Sequence, residues 1–273
     1  MKNIKDIKVS TIIPTYNRAH IIGRAISSAL AQSHENQEIL ISDDGSTDST
    51  EEVINSFNDD RIKFLKNEHA GLPSKMRNIA AEKASGQYLA FLDSDDEWIS
   101  GKLELQLDKL QRTGLLASST NANRVFLNEN KTRDFLYWPY DRIKLSDLFY
   151  GNLIIIQSVV IDIKLFRKIG GFPEFKLNED YALWMKTALY SDFALVKEKL
   201  VNYYDQPNTT IRGSKVNIFD ARRIAHGHLR EFLNNYTDIP LRSKMALRLW
   251  PLMSIPQYPG IFANIVKKIR NKT

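Results

Sequence analysis

Short apolar runs alternate with segments of helical periodicity over the first hundred residues. The runs "VSTIIP", "QEILIS", "RIKFLK" and "QYLAFL" have the length and composition of buried strands. Between the first two, Ile22, Ile26 and Leu30 repeat with the spacing of one helix face, and "PSKMRNIAAEKA" predicts a second helix that ends before Gly86. Because parallel strands need a crossover between them, this alternation predicts an α/β fold with a mainly parallel sheet flanked by helices.

Polar clusters follow three of these predicted strands. "PTYNR" ends the first, "DDGS" follows the second, and "DSDDE" follows the fourth. Ligands of open α/β sheets bind beyond the carboxyl ends of the strands. We therefore expect the three clusters to line one crevice.

The cluster "DSDDEW" is the most highly charged of the three. Asp93 and Asp95 lie two apart in extended chain, so their carboxylates can point to the same side. Such a pair repels unless a divalent cation or a set of donors is nearby. The sequence leaves open a second interpretation, in which the aspartates only form turns or cap a helix near Ile99. Asp96 and Glu97 are expected to begin that helix. A calcium-binding loop is excluded because Trp98 stands where that loop needs glycine.

Two further acidic motifs have the same ambiguity. Asp43 and Asp44 either cap the following turn or accept hydrogen bonds from a nucleobase or ribose. "NED" at 178–180 begins a predicted helix, where the helix dipole favours acidic residues in any case. That helix has an apolar stripe that predicts its buried face, formed by Tyr181, Trp184, Met185 and Ala188.

The remaining elements are predicted from local pattern. "LASSTNANRVFLNENKTR" predicts a hairpin, "LSDLFYGN" a short helix and "LIIIQSVVI" another core strand. Asp48 with Glu51, or Ser49 with Glu52, has the spacing of a capping box. His226 and His228 would project to different faces of a helix, so we expect solvated surface there and no zinc site.

Composition and charge narrow the range of functions. Apolar residues make up 43% and charged residues 26%, as in ordinary globular proteins, and cysteine is absent. With no apolar leader after "MKNIKDIKVS", we expect a cytoplasmic location. The formal charge of +6 comes from the C-terminal segment: residues 241–273 hold seven basic residues and none acidic, which leaves 31 basic against 32 acidic before them. No nucleic-acid partner is expected.

The C-terminal segment 241–273 permits two interpretations. Its apolar stretch is interrupted by Arg248, Pro251, Pro256 and Pro259, so it is too broken to span a membrane. Aromatic and apolar residues mixed with lysine and arginine favour peripheral contact with an anionic membrane at its inner face. A helical pair packed on the preceding domain explains the pattern equally well.

Taken together, the motifs are more specific than any one of them. Six motifs occur in this order: "VSTIIPTYNR", "ILISDDGSTDST", "GLPSKMRNIA", "GQYLAFLDSDDEW", "IGGF" and "NEDYALWMKTA". On these motifs, the chain between Lys8 and Leu189 resembles the family 2 glycosyltransferases of the GT-A fold. The resemblance implies a GT-A domain over residues 1–215, with a nucleotide-binding half at 8–112 and an acceptor half at 113–215. Residues 216–273 form a helical, basic extension without a matching motif.

The resemblance also assigns expected roles to single residues. Pro14, Thr15 and Tyr16 would lie under the nucleotide base, usually uracil. Asp44 would meet the base with Asp43 nearby, and Arg77 corresponds to a basic residue near the nucleotide. In the DxD motif, which includes Ser94, Asp93 would approach the ribose and Asp95 would coordinate Mn²⁺ or Mg²⁺. Asp180 matches the general base, with Glu179 and Trp184 beside it. The chain departs from the family at Pro173, Ile161 and Asp162, all toward the acceptor.

The implied function is an inverting, metal-dependent transfer of a sugar from a nucleotide donor, most often UDP-linked. The acceptor would be a glycan or a lipid-linked saccharide in surface polysaccharide synthesis. Such displacement needs a base and a stabilised diphosphate but no protein nucleophile. One alternative is a sugar-nucleotide-synthesising nucleotidyltransferase, although "PTYNRAH" lacks the glycine-rich basic loop that a triphosphate needs. The other is a non-catalytic nucleotide- or glycan-binding module.

Overall fold

The computed structural model of the chain describes residues 3–127, 131–136, 138–175, 177–205, 218–236, 238–245 and 247. Within them the chain forms a ten-stranded sheet with helices on both faces. The α/β fold expected from the alternating pattern is thus confirmed.

The ten strands form a single mixed sheet. Its main path runs β3-β2-β1-β4-β9-β6-β10-β5, with β7 paired to β6 and β8 paired to β10. The strands are β1 Val9–Thr15, β2 Gln37–Asp43, β3 Ile62–Lys66, β4 Tyr88–Phe91, β5 Glu97–Trp98, β6 Ala117–Phe126, β7 Lys131–Asp134, β8 Arg142–Ile143, β9 Val160–Asp162 and β10 Phe193–Asp205.

Parallel pairing covers the first four strands of that path and the long β6–β10 pair. Strand β9 runs antiparallel between β4 and β6 and joins these two parallel blocks. The hairpin predicted from "LASSTNANRVFLNENKTR" is formed by β6 and β7. Most paired residues therefore lie in parallel ladders, and the carboxyl ends of β1, β2 and β4 reach the same edge.

Besides a helical segment at residues 241–245, eight helices lie in the described residues. They are α1 Ile22–Leu30, α2 Thr50–Asn55, α3 Pro73–Lys83, α4 Lys102–Thr113, α5 Leu145–Leu148, α6 Ile163–Lys168, α7 Glu179–Tyr190 and α8 Ile218–Asn235. Successive strand residues point to opposite faces, so Ile12 enters the core cluster that contains α7, whereas Ile13 enters the cluster that contains α1. Because both faces of the sheet are buried, the strands have continuous apolar sequences and do not alternate between apolar and polar residues.

Three local predictions differ from the structure. The strand predicted from "LIIIQSVVI" is shorter in the structure. It covers only Val160–Asp162, which extends one residue beyond the motif, because Ile156–Ser158 forms a 3-10 turn before it. Glu97 lies in β5, not at a helix start, since it pairs with Asn202, and the next helix begins only at Lys102. No capping box closes α2, whose N-cap Ser49 makes no side-chain bond.

The described part of the predicted extension packs on α7 and its neighbours. Phe175 stacks on His228 of α8 with ring centroids 4.1 Å apart. Arg242 pairs with Asp192 at 3.3 Å, and the hydroxyl of Ser243 donates to the carbonyl of Leu189. The contacts of Arg242 and Ser243 favour the packed interpretation for residues 241–245. Residues 246 and 248–273 of the proposed membrane segment lie outside the described residues.

The expectation that His226 is solvated surface is wrong. His226 is buried on α8 beside the ring of Phe149. Burial, with the nearby charges of Arg222 and Arg230, lowers the pKa of His226 to about 4. The helix buries this face because α8 packs on α7 and on Phe149, the residue after α5.

Candidate active site

An open crevice of about 800 Å³ lies at the carboxyl edge of the sheet. It brings together the ends of β1 and β4, the start of α7 and the end of β10. The expected residues that line it are Pro14, Thr15, Tyr16, Asp44, Arg77, Asp93, Ser94, Asp95, Glu179 and Asp180. Ala221 of α8 also lines it, so residues beyond 215 contribute to its wall.

The acidic cluster after β4 is built by a tight turn. The amide of Asp96 donates to the carbonyl of Asp93 at 3.1 Å, which folds the chain back on itself. As a result, Asp93, Asp95 and Asp96 each bring a carboxylate oxygen within 4.8 Å of the others. The sequence interpretation of a ligand pair at 93 and 95 thus acquires a third member at 96.

The three carboxylates differ in their partners. Asp93 pairs with Arg77 at 2.6 Å and accepts a hydrogen bond from the side chain of Gln157 at 2.8 Å. Asp96 is buried and accepts from Gln157 and from the backbone amide of Tyr204. Within the described residues, the carboxylate of Asp95 has no hydrogen-bond donor on another residue.

This arrangement leaves negative charge in the crevice. Burial, followed by repulsion from Asp93, raises the pKa of Asp95. Burial, followed by repulsion from Asp95 and Asp93, raises the pKa of Asp96 well above its usual range. A hard divalent cation with oxygen ligands relieves both costs, so the donor set fits Mn²⁺ or Mg²⁺, and Asp95 is the carboxylate left available for it.

Arg77 lies underneath the cluster and is 4% exposed. Its guanidinium pairs with Asp93 on one side and with Glu179 at 3.1 Å on the other. The structure therefore connects Arg77 to two carboxylates, whereas the sequence interpretation placed it next to the nucleotide. The next residue, Asn78, exchanges two hydrogen bonds with the backbone of Phe172, which links "KMRN" to "IGGF".

Asp44 anchors the loop that follows β3. Its carboxylate accepts hydrogen bonds from the amides of Ala70 at 2.7 Å and Gly71 at 2.9 Å. Gly45 permits the close approach of this loop, because a Cβ there would lie 3.0 Å from the amide nitrogen of His69 and φ is +74°. Asp44 thus shapes the expected base site by holding the loop.

Tyr16 and His69 form an aromatic pair at the mouth of that site. Their rings stack with centroids 4.4 Å apart and planes inclined by 27°. The imidazole Nδ1 lies 2.9 Å from the carbonyl oxygen of Asp44, which keeps His69 over Tyr16. One face of Tyr16 is therefore covered by His69.

The start of α7 presents the acidic pair Glu179 and Asp180. Asn178 adopts a left-handed conformation with φ +62°, which asparagine tolerates better than most residues, and turns the chain into the helix. Burial and the charge of Asp180 raise the pKa of Glu179 to about 7, against the attraction of Arg77. The side chain of Asn152 donates to Asp180 at 3.0 Å.

Two expected site residues are not among those that line the crevice. Asp43 is buried and accepts hydrogen bonds from the amide and hydroxyl of Ser46, which close the turn after β2. Trp184 is fully buried among the rings of Phe91, Phe172 and Phe193. Asp43 and Trp184 therefore stabilise the elements around the crevice and do not face it.

Sequence reasoning missed Gln157, Asn152 and His69, which all line the crevice. Gln157 and Asn152 are single amides in an apolar segment, and no spacing rule identifies such residues before the fold is known. His69 stands in "NEHAGLP", where the adjacent glycine and proline indicate a loop but not its position over Tyr16.

Comparison with known proteins decides the family. The model of the family described as glycosyl transferase family 2 matches residues 10–166, which is more than half of the chain. The chain belongs to glycosyl transferase family 2. The expected resemblance is confirmed, and glycosyltransferase activity is favoured over nucleotide-sugar synthesis and over simple binding.

Relatives of this family 2 glycosyltransferase include bacterial proteins that are named as glycosyltransferases. It is 39% identical over 180 residues to the Escherichia coli protein named UDP-Glc:α-D-GlcNAc-diphosphoundecaprenol β-1,3-glucosyltransferase WfgD, covering 66% of this chain and 69% of WfgD. It is 32% identical to the putative teichuronic acid biosynthesis glycosyltransferase TuaG of Bacillus subtilis, over 74% and 82% of the two chains. The chain spans 33% of the length of an uncharacterized Rickettsia conorii glycosyltransferase at 35% identity.

Solved structures support the fold. The crystal structure of S. aureus TarS 1–349 in complex with UDP-GlcNAc superposes with a TM-score of 0.69 at 19% identity, over 90% of this chain and 72% of that one. The same TarS segment in complex with UDP gives a TM-score of 0.67, over 93% and 74% of the two chains. The GT-A architecture expected from the motifs is thereby confirmed.

Among the residues that the structure describes, no helix combines the length and apolarity needed to cross a bilayer.

Proposed function

We propose that this family 2 glycosyltransferase moves a hexose or N-acetylhexosamine from a UDP-sugar to a diphosphate-linked lipid saccharide, with inversion at the anomeric carbon. The acceptor class is supported by the names of relatives such as WfgD, whose acceptor is an undecaprenol-linked GlcNAc diphosphate. The donor class is supported by the UDP and UDP-GlcNAc complexes of the TarS fold. With such an acceptor the enzyme would work at the inner face of the membrane.

The observation that carries the proposal is that one crevice holds three kinds of group that the transfer needs. Tyr16 offers an aromatic surface for a base, the Asp93–Asp96 turn offers oxygen ligands, and Asp180 at the start of α7 offers a further carboxylate. Each group comes from a different element, so their meeting is not a consequence of local sequence.

The chain's own residues would carry out the proton transfer and the positioning. Asp180 would take the proton of the acceptor hydroxyl as its oxygen forms a bond to the anomeric carbon. The bond between that carbon and the diphosphate oxygen breaks, and UDP leaves with the electron pair. A bound Mn²⁺ or Mg²⁺, held by Asp95, would stabilise the charge of the diphosphate, while Asp93 would lie toward the ribose.

The test uses UDP-glucose, UDP-GlcNAc and UDP-galactose with Mn²⁺ or Mg²⁺ and a synthetic alkyl diphosphate-linked GlcNAc as acceptor. Both Asp95→Ala and Asp180→Asn should lower turnover by about two orders of magnitude or more. Asp108→Asn, which alters a surface pair with Arg112 on α4, is the matched carboxylate control and should keep full activity.

Binding separates the two roles. In isothermal titration with UDP, Asp95→Ala should lose the Mn²⁺-dependent part of the affinity, whereas Asp180→Asn should bind UDP as the wild type does. Turnover by Asp180→Asn within tenfold of the wild type would refute its role as the base. Release of inorganic pyrophosphate from a sugar phosphate and UTP would instead identify a nucleotidyltransferase.

A further inference from the structure

The segment between α5 and β9 lines the crevice on the side of Asp180. It contains residues 149–159, and two of its side chains, Asn152 and Gln157, carry amides that reach acidic groups of the site. Neither residue belongs to the motifs that identified the family. Their contacts show how this segment takes part in the site.

We propose that Asn152 is a positioning residue that holds the Asp180 carboxylate in the orientation required for removing the acceptor proton. This inference rests on the proposed role of Asp180 as the general base. Asn152 touches the base and acts through it, so it is not itself assigned a catalytic step.

The orientation of the Asn152 amide is fixed by a second hydrogen bond. Its Oδ1 accepts from the backbone amide of Ile154 at 3.2 Å, so its Nδ2 is the atom that faces Asp180 Oδ2, at 3.0 Å. A donor facing a carboxylate favours the ionised form, which is the form that accepts a proton. The other oxygen of Asp180, Oδ1, accepts from the backbone amide of Tyr181 at 2.7 Å.

The segment is tied to α7 at a second point. The hydroxyl of Tyr181, the residue after Asp180, donates to the carbonyl of Leu148 at the end of α5. The two contacts connect residues 148 and 152 to the first turn of α7. They therefore fix where the carboxylate of Asp180 lies relative to this segment.

The same segment also reaches the acidic turn after β4. Gln157 donates to Asp93 and to Asp96, five residues after Asn152 along the chain. Asn152 and Gln157 thus connect the proposed base to the proposed diphosphate site through one short stretch of backbone. Because transfer requires both groups at a set separation, movement of this stretch would disturb catalysis more than binding.

Two substitutions distinguish orientation from charge. Asn152→Ala removes the donor and should lower kcat about 10- to 100-fold while the KM for the UDP-sugar stays within about twofold. Asn152→Asp places a carboxylate against Asp180 and should move the acidic limb of the pH–rate profile upward by about one pH unit or more. Glu179 and Arg77 interact electrostatically with Asp180, and Arg222 on α8 acts on the neighbouring Tyr181; all three are unchanged in both variants.

The control is Asn36→Ala. The amide of Asn36 donates to the carbonyl of Lys5 at the opposite edge of the sheet, so this variant loses a comparable hydrogen bond away from the crevice. It should keep the kinetics and the pH profile of the wild type. Crystal structures of wild type and Asn152→Ala give a readout that needs no acceptor, and in the variant the Asp180 carboxylate should rotate away from its present position.

The outcomes separate this inference from the proposed function. If Asp180→Asn remains active, the role of Asp180 fails and the proposed function has to be revised. If Asp180→Asn is inactive while Asn152→Ala has wild-type kcat, only the positioning role is overturned. An Asp180 side chain that keeps its orientation in the Asn152→Ala crystal structure overturns it as well, whatever the activity.

Discussion

The guanidinium of Arg77 lies 2.6 Å from the carboxylate of Asp93 and is almost completely buried. Arg77 belongs to α3 and Asp93 ends β4, and the same guanidinium reaches Glu179 on α7. One side chain therefore joins the donor side of the crevice to the helix of the proposed base. A buried pair of this kind costs desolvation, so its value here is in fixing the relative placement of three elements.

Arg77→Lys tests this bridge. A single ammonium cannot reproduce the two-sided contacts of the planar guanidinium, so we expect unfolding free energy to fall by about 2 to 4 kcal/mol. Urea denaturation followed by circular dichroism measures the change. Arg112→Lys, at an exposed pair with Asp108, is the control and should stay within about 0.5 kcal/mol of the wild type. Equal midpoints for both variants would rule out a stabilising bridge.

Tyr16 should contribute directly to nucleotide affinity. Since His69 covers one face of its ring, we expect a uracil base to use the exposed face. Tyr16→Ala should weaken UDP binding about tenfold, in line with roughly 1–3 kcal/mol for stacking of a base on an aromatic ring. Isothermal titration calorimetry with Mn²⁺ present gives the dissociation constants. Tyr16→Phe keeps the ring and should bind UDP normally, and unchanged affinity in Tyr16→Ala would exclude the ring from the base site.

His226 should make stability depend on pH in a defined window. Burial and the charges of Arg222 and Arg230 lower the pKa of His226 to about 4, from an ordinary value of 6.5. The unfolded chain therefore takes up a proton before the folded chain does. The contribution to stability is complete above pH 6.5 and is lost as the pH falls toward 4, by on the order of 2 kcal/mol.

Urea midpoints of wild type and His226→Gln between pH 7.5 and pH 4.5 measure this effect. The variant should show a shallower loss of stability across that range. His20→Gln, at an exposed histidine, should keep the wild-type slope. Parallel pH dependence in wild type and His226→Gln would contradict the assignment.

The basic residues near the C-terminus should support membrane contact. Each lysine or arginine near an anionic surface contributes about 1 kcal/mol to binding. Replacing Lys267, Lys268, Arg270 and Lys272 by glutamine in the full chain should weaken sedimentation with phosphatidylglycerol liposomes at least tenfold. Neutral phosphatidylcholine liposomes are the control. Equal binding of both proteins to the anionic liposomes would remove the electrostatic role of these residues.

The sequence determined the layout of the fold because its signals are local. Alternating strand and helix patterns, with polar clusters after three of the four strands, were sufficient to place Tyr16, Asp44, Asp93 and Asp95 at one edge of a sheet. The geometry of parallel strands then brings these residues together without further information. Asp180 was predicted from the family motifs alone. It lies far from the other site residues in the sequence, so no local pattern indicates that it is close to them in space.

Tertiary structure decided which polar groups face each other. Asp93 differs from Asp95 because only Asp93 pairs with Arg77 and accepts a hydrogen bond from Gln157. Asp43 bonds to Ser46, whereas Asp44 holds a loop. Asn152 and Gln157 acquire their roles from a segment whose sequence is mostly apolar. Local sequence predicts which segments form strands and helices. The partner of a buried side chain is set by packing between elements that are distant in sequence. That packing distinguishes the supporting residues of this site from the residues that face the crevice.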